Sequence, residues 1–372
     1  MKILYITEDQ YSKVHINLCK ALVESRDDVC VTYLTFDRKS EDKQLFKEVV
    51  DNKKLETIVV PCDFNKILYK YVFWYKKYKK WDLINKYVNI SDFDIIYAST
   101  AFSDGCVAYE AYKRYGIPFV IAIRGTDVNL YIKKMFHLYR LGIQILLNAK
   151  MIVCISEAQK VSLKNSLLYQ FLENKIGNKI KVIPNGVDDF WIENQYKNQR
   201  RKKCRRFLYI GYFSDNKNVL SIIKAFKKVK KKYTEIELYL VGEKGDQEAI
   251  IIEECANNDS IVYYGAVYEK NELVKIIREC DSFIMVSLVE TFGLVYVEAL
   301  SQGLPIIYSA NTGFDGMIKD CIVGERCNAK NISDIANAME QMIINYNNYN
   351  YCDLARFCWS NIGRTIITNI SK

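Results

Sequence analysis

The chain has 372 residues, half of them hydrophobic and 26% charged, a composition that excludes a disordered chain and leaves room for two cores of ordinary domain size. Its 53 basic residues outnumber 44 acidic ones for a formal charge of +9, which favours anionic partners in general and selects none of them. Twelve scattered cysteines without a C-x-x-C pair, and only two histidines (His15 and His137), argue against a disulfide framework, a zinc site and a Ser-His-Asp triad.

The opening MKILYITEDQ carries one lysine and too short an apolar run for a signal peptide. No later stretch approaches the ~18 uncharged apolar residues of a membrane span, so a cytosolic chain is expected. The runs KILYIT, VCVTYLTF, TIVV, DIIYAST, PFVIAIR and MIVCIS alternate with amphipathic segments, which predicts buried parallel strands in a doubly wound sheet. Between the third and fourth of them lies NKILYKYVFWYKKYKKWDLINKY, positions 65 to 87. There Lys66, Lys70, Lys76, Lys77, Lys79 and Lys80 interleave with aromatic residues that include Trp74 and Trp81. One reading is a basic helix lying on an anionic membrane surface; the other is an ordinary helix that packs one aromatic face inward while its lysines snorkel.

The pattern pauses at KVIPNGVDDF, where Pro184, Asn185 and Gly186 predict a turn. A basic stretch, QRRKKCRRF, reads as a solvated linker, and FLYIGYF, IELYLVG, SIVYYGAV, SFIMVS and LPIIYS then restart the alternation. The domain boundary is therefore expected at about 185 to 205. Two doubly wound α/β domains of this kind bind ligands in the cleft between them, at the carboxyl ends of strands.

The chemistry concentrates in VETFGLVYVEALSQGLPII, where Glu290 and Glu298 stand in an otherwise apolar run. SFIMVS predicts a strand and GLVYVEALSQG a helix, so Glu290, Thr291, Phe292 and Gly293 form the connecting turn. A helix start presents unpaired N–H groups and the positive end of the dipole to a phosphate, and Gly293 lets a ligand approach the backbone. Glu298, one and a half turns in, reaches toward vicinal hydroxyls, and Glu290 is placed to accept from another polyol, since a carboxylate accepts from two hydroxyls at once. The bland alternative makes one a loop charge and the other a helix surface charge. Val297 and Ala299 beside Glu298 weigh against it.

At these residues the chain resembles the retaining glycosyltransferases of the GT-B fold, family 4, the glycosyl transferases group 1 set. The signature is E290-x7-E298 followed by Ala-Leu-x-x-Gly-x-Pro, with VIPNGVD as the interdomain turn and YIGYFSDNKNVLSIIKAF as the first strand, phosphate loop and helix of the second domain. The likeness extends over nearly the whole chain. It implies an α/β GT-B fold of two Rossmann-like domains facing an interdomain cleft. Residues 1–187 would bind the acceptor, 188–350 the nucleotide-sugar, and 351–372 would form a C-terminal helix returning to the first domain. It further implies that Glu298 binds ribose hydroxyls and that Glu290 contacts the transferred sugar. The loop with Gly211 and the turn of Thr291, Phe292, Gly293 and Leu294 would hold the diphosphate, which Lys217 neutralises. Gly265, Ala266 and Val267 would flank the nucleobase.

The chain departs from the family pattern at several places. Tyr212 stands where the family usually has an arginine, and Arg124, in IRGTDV where the family often has histidine, is the candidate replacement cation, with Asp127 orienting it or its loop. The first-strand loop TEDQYSKVHI lacks the usual glycine pair, and the second-domain Gly-Gly loop appears as Thr312-Gly313, with Asp315 and Gly316 after it. The implied activity is retaining transfer of a hexosyl or N-acetylhexosaminyl group from a UDP-sugar to a glycan or lipid-linked acceptor in bacterial surface-polysaccharide assembly. It needs no cofactor and no metal, takes no nucleic acid, and would run in the cytoplasm, with the 65–87 segment on the inner face of the membrane. The alternatives are a GT-B nucleotide-sugar epimerase and a non-catalytic glycosyltransferase-like binding subunit.

Overall fold

The computed structural model describes residues 1–9, 12–37, 53–62, 66–196 and 203–372, with the backbone alone at 66, 67 and 70. The chain divides into two compact units, one of residues 1–155, 159–186 and 359–372, the other of 156–158 and 187–358. Residues 197–202, among them the first four of the predicted linker QRRKKCRRF, fall outside the described residues, as do Gln10 and Tyr11 of the first-strand loop. The linker's last two residues, Arg206 and Phe207, open the first strand of the second unit.

The first unit is built on β1 (Lys2–Ile6), β2 (Cys30–Asp37), β3 (Leu55–Pro61), β4 (Ile95–Ala98), β5 (Phe119–Ile123), β6 (Met151–Cys154) and β7 (Ile180–Val182). They form a parallel sheet in the order β3-β2-β1-β4-β5-β6-β7. Alternate side chains feed two buried layers. Leu4, Ile6, Ile96, Ala98 and Ile121 join Phe102 and Ile145 on one face. Ile3, Tyr5, Ile95, Tyr97 and Val120 meet the Lys13–Glu24 and Trp359–Ser371 helices on the other. Burial on both faces is why these strands read as nearly continuous apolar runs.

The second unit carries β8 (Arg206–Ile210), β9 (Glu237–Val241), β10 (Ile261–Gly265), β11 (Ser282–Met285), β12 (Ile306–Ser309) and β13 (Gly324–Cys327), parallel in the order β10-β9-β8-β11-β12-β13. Two of these thirteen strands escape sequence reading. β7 has three residues with an exposed lysine in the middle, and β13 reads Gly-Glu-Arg-Cys, with the polar composition of an edge strand.

In each sheet the strand order reverses once, between β1 and β4 and between β8 and β11. Loops leaving neighbouring strands there diverge to opposite faces and open a crevice at the carboxyl ends. Thr7 and Ser99 lie at the first reversal, and Gly211 and Val286 at the second.

Candidate functional site

In the second unit the loop after β8 and the loop after β11 are clamped together by one asparagine. The Asn216 amide donates to the Val289 carbonyl (2.9 Å) and accepts from the Val289 N–H (3.0 Å), while the Leu288 N–H donates to the Asn216 carbonyl (2.8 Å). Asn218, left-handed at φ 62°, donates from its buried amide to the Val286 and Ala329 carbonyls and opens the Val219–Lys230 helix. This bracing sets Lys217 against Glu290, with Nζ 2.7 Å from Oε2. Sequence reading passes over both asparagines. The signal was there in DNKN, since Asn tolerates the left-handed turn that such a passage from loop to helix uses.

Glu290 is held on three sides. Its N–H donates to Thr312 Oγ1 (2.9 Å), its carbonyl accepts from Thr312 Oγ1 and the Gly313 N–H, and its Oε1 accepts from the Thr291 N–H (3.0 Å). The chain then turns through Gly293, left-handed at φ 87°, into the Leu294–Ser301 helix. Among the described residues the N–H groups of Phe292, Gly293 and Leu294 meet no protein acceptor. Together with Lys217 they make a helix start that suits an anionic group.

Glu298 lies half-buried in that helix, and its carboxylate makes no side-chain hydrogen bond among the described residues. Burial raises its pKa to about 7, with Asp188 adding to the rise and Lys270 opposing it. Asp188 and Lys270 are themselves an ion pair at 2.5 Å. Gly265 ends β10 and Ala266 and Val267 follow it, and the Gly265 carbonyl accepts from the Gly242 N–H (2.9 Å). Gly211 follows β8 and pairs with the Val241 carbonyl. Tyr212 is exposed and takes the Tyr209 hydroxyl on its carbonyl (2.7 Å), so no cation stands at that position.

In the first unit a crevice of about 490 Å³ opens at the β1–β4 reversal, lined by Thr7, Glu8, Asp9, Ser12, His15, Ser99, Thr100, Arg124, Thr126 and Asn185. The Arg124 guanidinium is fixed there by the Ser99 carbonyl (3.1 Å) and the Asn185 amide oxygen (3.4 Å). His15 shares a 2.6 Å hydrogen bond with the Tyr5 hydroxyl. Burial, then Arg124, pushes its pKa down to about 3, so its ring is neutral. Asp127, expected to orient Arg124 or its loop, turns its carboxylate to the backbone and not to the crevice. It is wholly buried and accepts from the N–H groups of Ala101 (3.1 Å), Phe102 (3.0 Å) and Arg124 (2.8 Å). Burial raises its pKa to about 6 against those three donors, and its work is to hold the β4 and β5 loops together.

The 65–87 segment also departs from the membrane-surface reading. Lys80 is completely buried, bound to Asp104, to Glu8 (2.8 Å) and to the Ser103 carbonyl (3.0 Å). Lys76 pairs with Glu8 (2.9 Å) and Lys77 with Glu110 (3.0 Å). The Trp81 ring is packed against the core under the Arg114 guanidinium, 4.8 Å away, whereas Trp74 is 52% exposed. Three of the lysines assigned to a membrane surface thus point into the protein, and the two tryptophans do not insert together. Asn65 and the side chains of Lys66 and Lys70 lie outside the described residues. Among the described residues no helix is long and apolar enough to cross a membrane.

Two family models match the chain. The one described as Glycosyltransferase Family 4 covers residues 12–189, and the one described as Glycosyl transferases group 1 covers 192–355. A 41.2 kDa protein of the Klebsiella pneumoniae cps region is 29% identical over 181 residues, 45% of this chain and 47% of that protein. The alpha-monoglucosyldiacylglycerol synthase of Streptococcus pneumoniae is 25% identical over 252 residues, 62% of this chain and 55% of the synthase. The chain therefore spans about half the length of these curated relatives. Among solved structures, Anabaena HepE in complex with UDP and glucose superposes with a TM-score of 0.66 at 17% identity, covering 100% of this chain and 99% of that one, a likeness of fold.

Proposed function

The chain belongs with the group 1 glycosyltransferases of GT-B fold, whose two models between them match nearly all of it, and from that premise we propose that it is a retaining enzyme moving a hexosyl or N-acetylhexosaminyl group from a UDP-sugar. The acceptor is a glycan or lipid-linked glycan of a surface polysaccharide. What carries this reading is the Lys217–Glu290 pair at the foot of the Leu294–Ser301 helix, because it brings a cation from one loop to the free N–H groups and carboxylate of another. The cps-region relative and the glycolipid synthase support the acceptor class, and the UDP-bound neighbour supports the nucleotide.

Each residue then has a task. The N–H groups of Phe292, Gly293 and Leu294 hold the diphosphate, Lys217 takes up charge as the nucleoside diphosphate leaves, Glu298 accepts from the ribose hydroxyls, and Glu290 holds the sugar being transferred. Gly265 to Val267 flank the base, and the loop with Gly211 closes the phosphate side. Attack from the face the diphosphate leaves, with that phosphate taking the acceptor proton, retains configuration. The scheme routes no step through a metal or a protein base. The first unit takes the acceptor.

Calorimetry with UDP and uridine, followed by hydrolysis of UDP-glucose, UDP-galactose and UDP-N-acetylglucosamine without acceptor, tests the proposal. UDP binding with slow release of UDP from one sugar donor is expected. A chain that binds no nucleotide is not this enzyme, and one that binds UDP but releases none from any donor is a non-catalytic subunit.

A further inference from the structure

The first-strand loop departs from the family pattern by lacking glycines, and in their place the structure sets a carboxylate in a built socket. Glu8 follows β1 at the strand-order reversal and lines the 490 Å³ crevice. Its Oε1 accepts from Lys80 (2.8 Å), Lys76 (2.9 Å), the Tyr69 hydroxyl (3.1 Å) and Ser103 Oγ. Behind it Lys80 is completely buried and bound to Asp104, whose other oxygen takes the hydroxyls of Ser99 (2.8 Å) and Thr100 (2.9 Å).

A buried lysine is an expensive way to stabilise a fold. Apolar residues of the same volume generally do as well or better, because desolvating the charges cancels much of their attraction. Burial by itself would lower the Lys80 pKa, yet Asp104 and Glu8 raise it above the usual lysine value, so the ammonium stays charged. What the arrangement does provide is a carboxylate fixed in position at the mouth of a polar crevice. Support of this kind, a binding group locked by a surrounding shell of hydrogen bonds, is what precise recognition requires.

The chemistry of the crevice limits what it can take. The charges around the crevice cancel in number, Glu8, Asp9 and Asp104 standing against Lys76, Lys80 and Arg124, so an anion finds no net attraction there. Ser12 and Thr126 add hydroxyls that both donate and accept. A volume near 490 Å³ is in the range of small-molecule sites.

We infer that Glu8, positioned by Lys76 and Lys80 of the Phe73–Tyr87 helix, is the carboxylate by which the first unit grips the hydroxyls of an uncharged sugar ring. The inference rests on the reading that this unit takes the acceptor, and it names that acceptor's terminal part as a neutral sugar rather than a phosphate-bearing headgroup. It also accounts for the basic character of 65–87, two of whose lysines serve the pocket.

Saturation-transfer NMR on the full chain tests it, using a mixture of the methyl α-glycosides of glucose, galactose, mannose and N-acetylglucosamine at millimolar concentration, with glycerol phosphate as the anionic probe. Ring-proton saturation of at least one glycoside is expected, surviving saturating UDP and falling about tenfold in Glu8→Gln, the loss of a charge-assisted hydrogen bond. Removing Lys80 would strand Asp104 in the interior, so the positioning role is read at Lys76: Lys76→Met should lose the signal and Lys76→Arg keep it. No saturated glycoside, equal signals in wild type and Glu8→Gln, loss of signal on adding UDP, or preference for glycerol phosphate each overturns the inference. Failure of the transferase reading shows separately, as absent UDP binding in calorimetry of the same wild-type sample.

Discussion

Lys217 and Glu290, on loops 73 residues apart in sequence, meet at 2.7 Å with both side chains mostly withdrawn from water. A diphosphate seated on the helix start would compete with Glu290 for that ammonium. Lys217→Ala should therefore weaken UDP by about 10- to 100-fold while changing uridine little, as expected for loss of a charge-assisted contact to phosphate. Glu290→Ala releases Lys217, so UDP affinity should hold while donor hydrolysis falls by at least about tenfold. Calorimetry with both ligands checks the first statement and UDP release the second; equal losses of UDP and uridine in Lys217→Ala would remove the lysine from the phosphate site.

Glu298 predicts a pH dependence. Burial, and then Asp188, raises its pKa to about 7, so in the ligand-free protein it is half-protonated near neutrality. Accepting from two ribose hydroxyls requires the carboxylate, so UDP affinity should rise with pH through about 7 and level off above it. The ligand-free protein runs the other way. A carboxyl whose folded pKa is raised above its unfolded value contributes stability below the unfolded pKa and loses it as pH climbs through the folded one. Stability should thus fall by at most about 3 kcal/mol between about pH 4.5 and pH 7. Calorimetry across pH, with Glu298→Gln as the flat control, decides it, and an identical slope in the variant would assign the titration elsewhere.

The strands were legible because burial on both faces writes itself into consecutive residues such as KILYI and FVIAI. The two glutamates were legible because a carboxylate in an apolar helix needs a reason. What escaped depends on contacts distant in sequence. Lys76, Lys77 and Lys80 look like free surface charge until Glu8, Asp104 and Glu110 are brought to them. Gly186 was read as a turn glycine, yet a Cβ there would lie 2.4 Å from the Trp359 ring, so it is close packing with the last helix that requires it. Asp127 sits in the expected loop, but nothing local says that its carboxylate turns inward to three backbone N–H groups.

Changing Lys76, Lys77, Lys79 and Lys80 together to serine should destabilise the protein rather than only detach it from vesicles. Lys80→Ser leaves Asp104 buried without its cation, a loss of about 3–5 kcal/mol that would lower Tm by about 10 °C. Lys79, which lies over the Tyr75 and Tyr78 rings, should tolerate serine with little change. Calorimetric melts of the two variants compare them directly. A quadruple variant melting with wild type would show that the Lys80 network contributes nothing to the fold.

Gly313 connects backbone geometry to the site. Its φ is 53°, and an added Cβ would stand 2.8 Å from Cβ and Cγ of Glu290, closer than carbon atoms pack. Gly313→Ala therefore meets two costs, about 1 kcal/mol for a left-handed alanine and about 1–3 kcal/mol for the collision. The first can be measured alone. Gly116 ends the Gly105–Tyr115 helix at φ 72°, and an added methyl would have nothing within 4 Å, so Gly116→Ala carries the conformational cost without a clash. Relief at Cβ requires the Glu290 backbone, tied to Thr312 by its N–H and carbonyl, to shift, and relief at Cγ requires swinging the side chain. Swinging it breaks the 2.7 Å contact with Lys217. Both variants should lose similar stability to the left-handed turn, whereas Gly313→Ala alone should lose donor hydrolysis, by about tenfold or more, and keep UDP affinity. Full hydrolysis in Gly313→Ala would mean that the position of the Glu290 carboxylate does not matter to transfer.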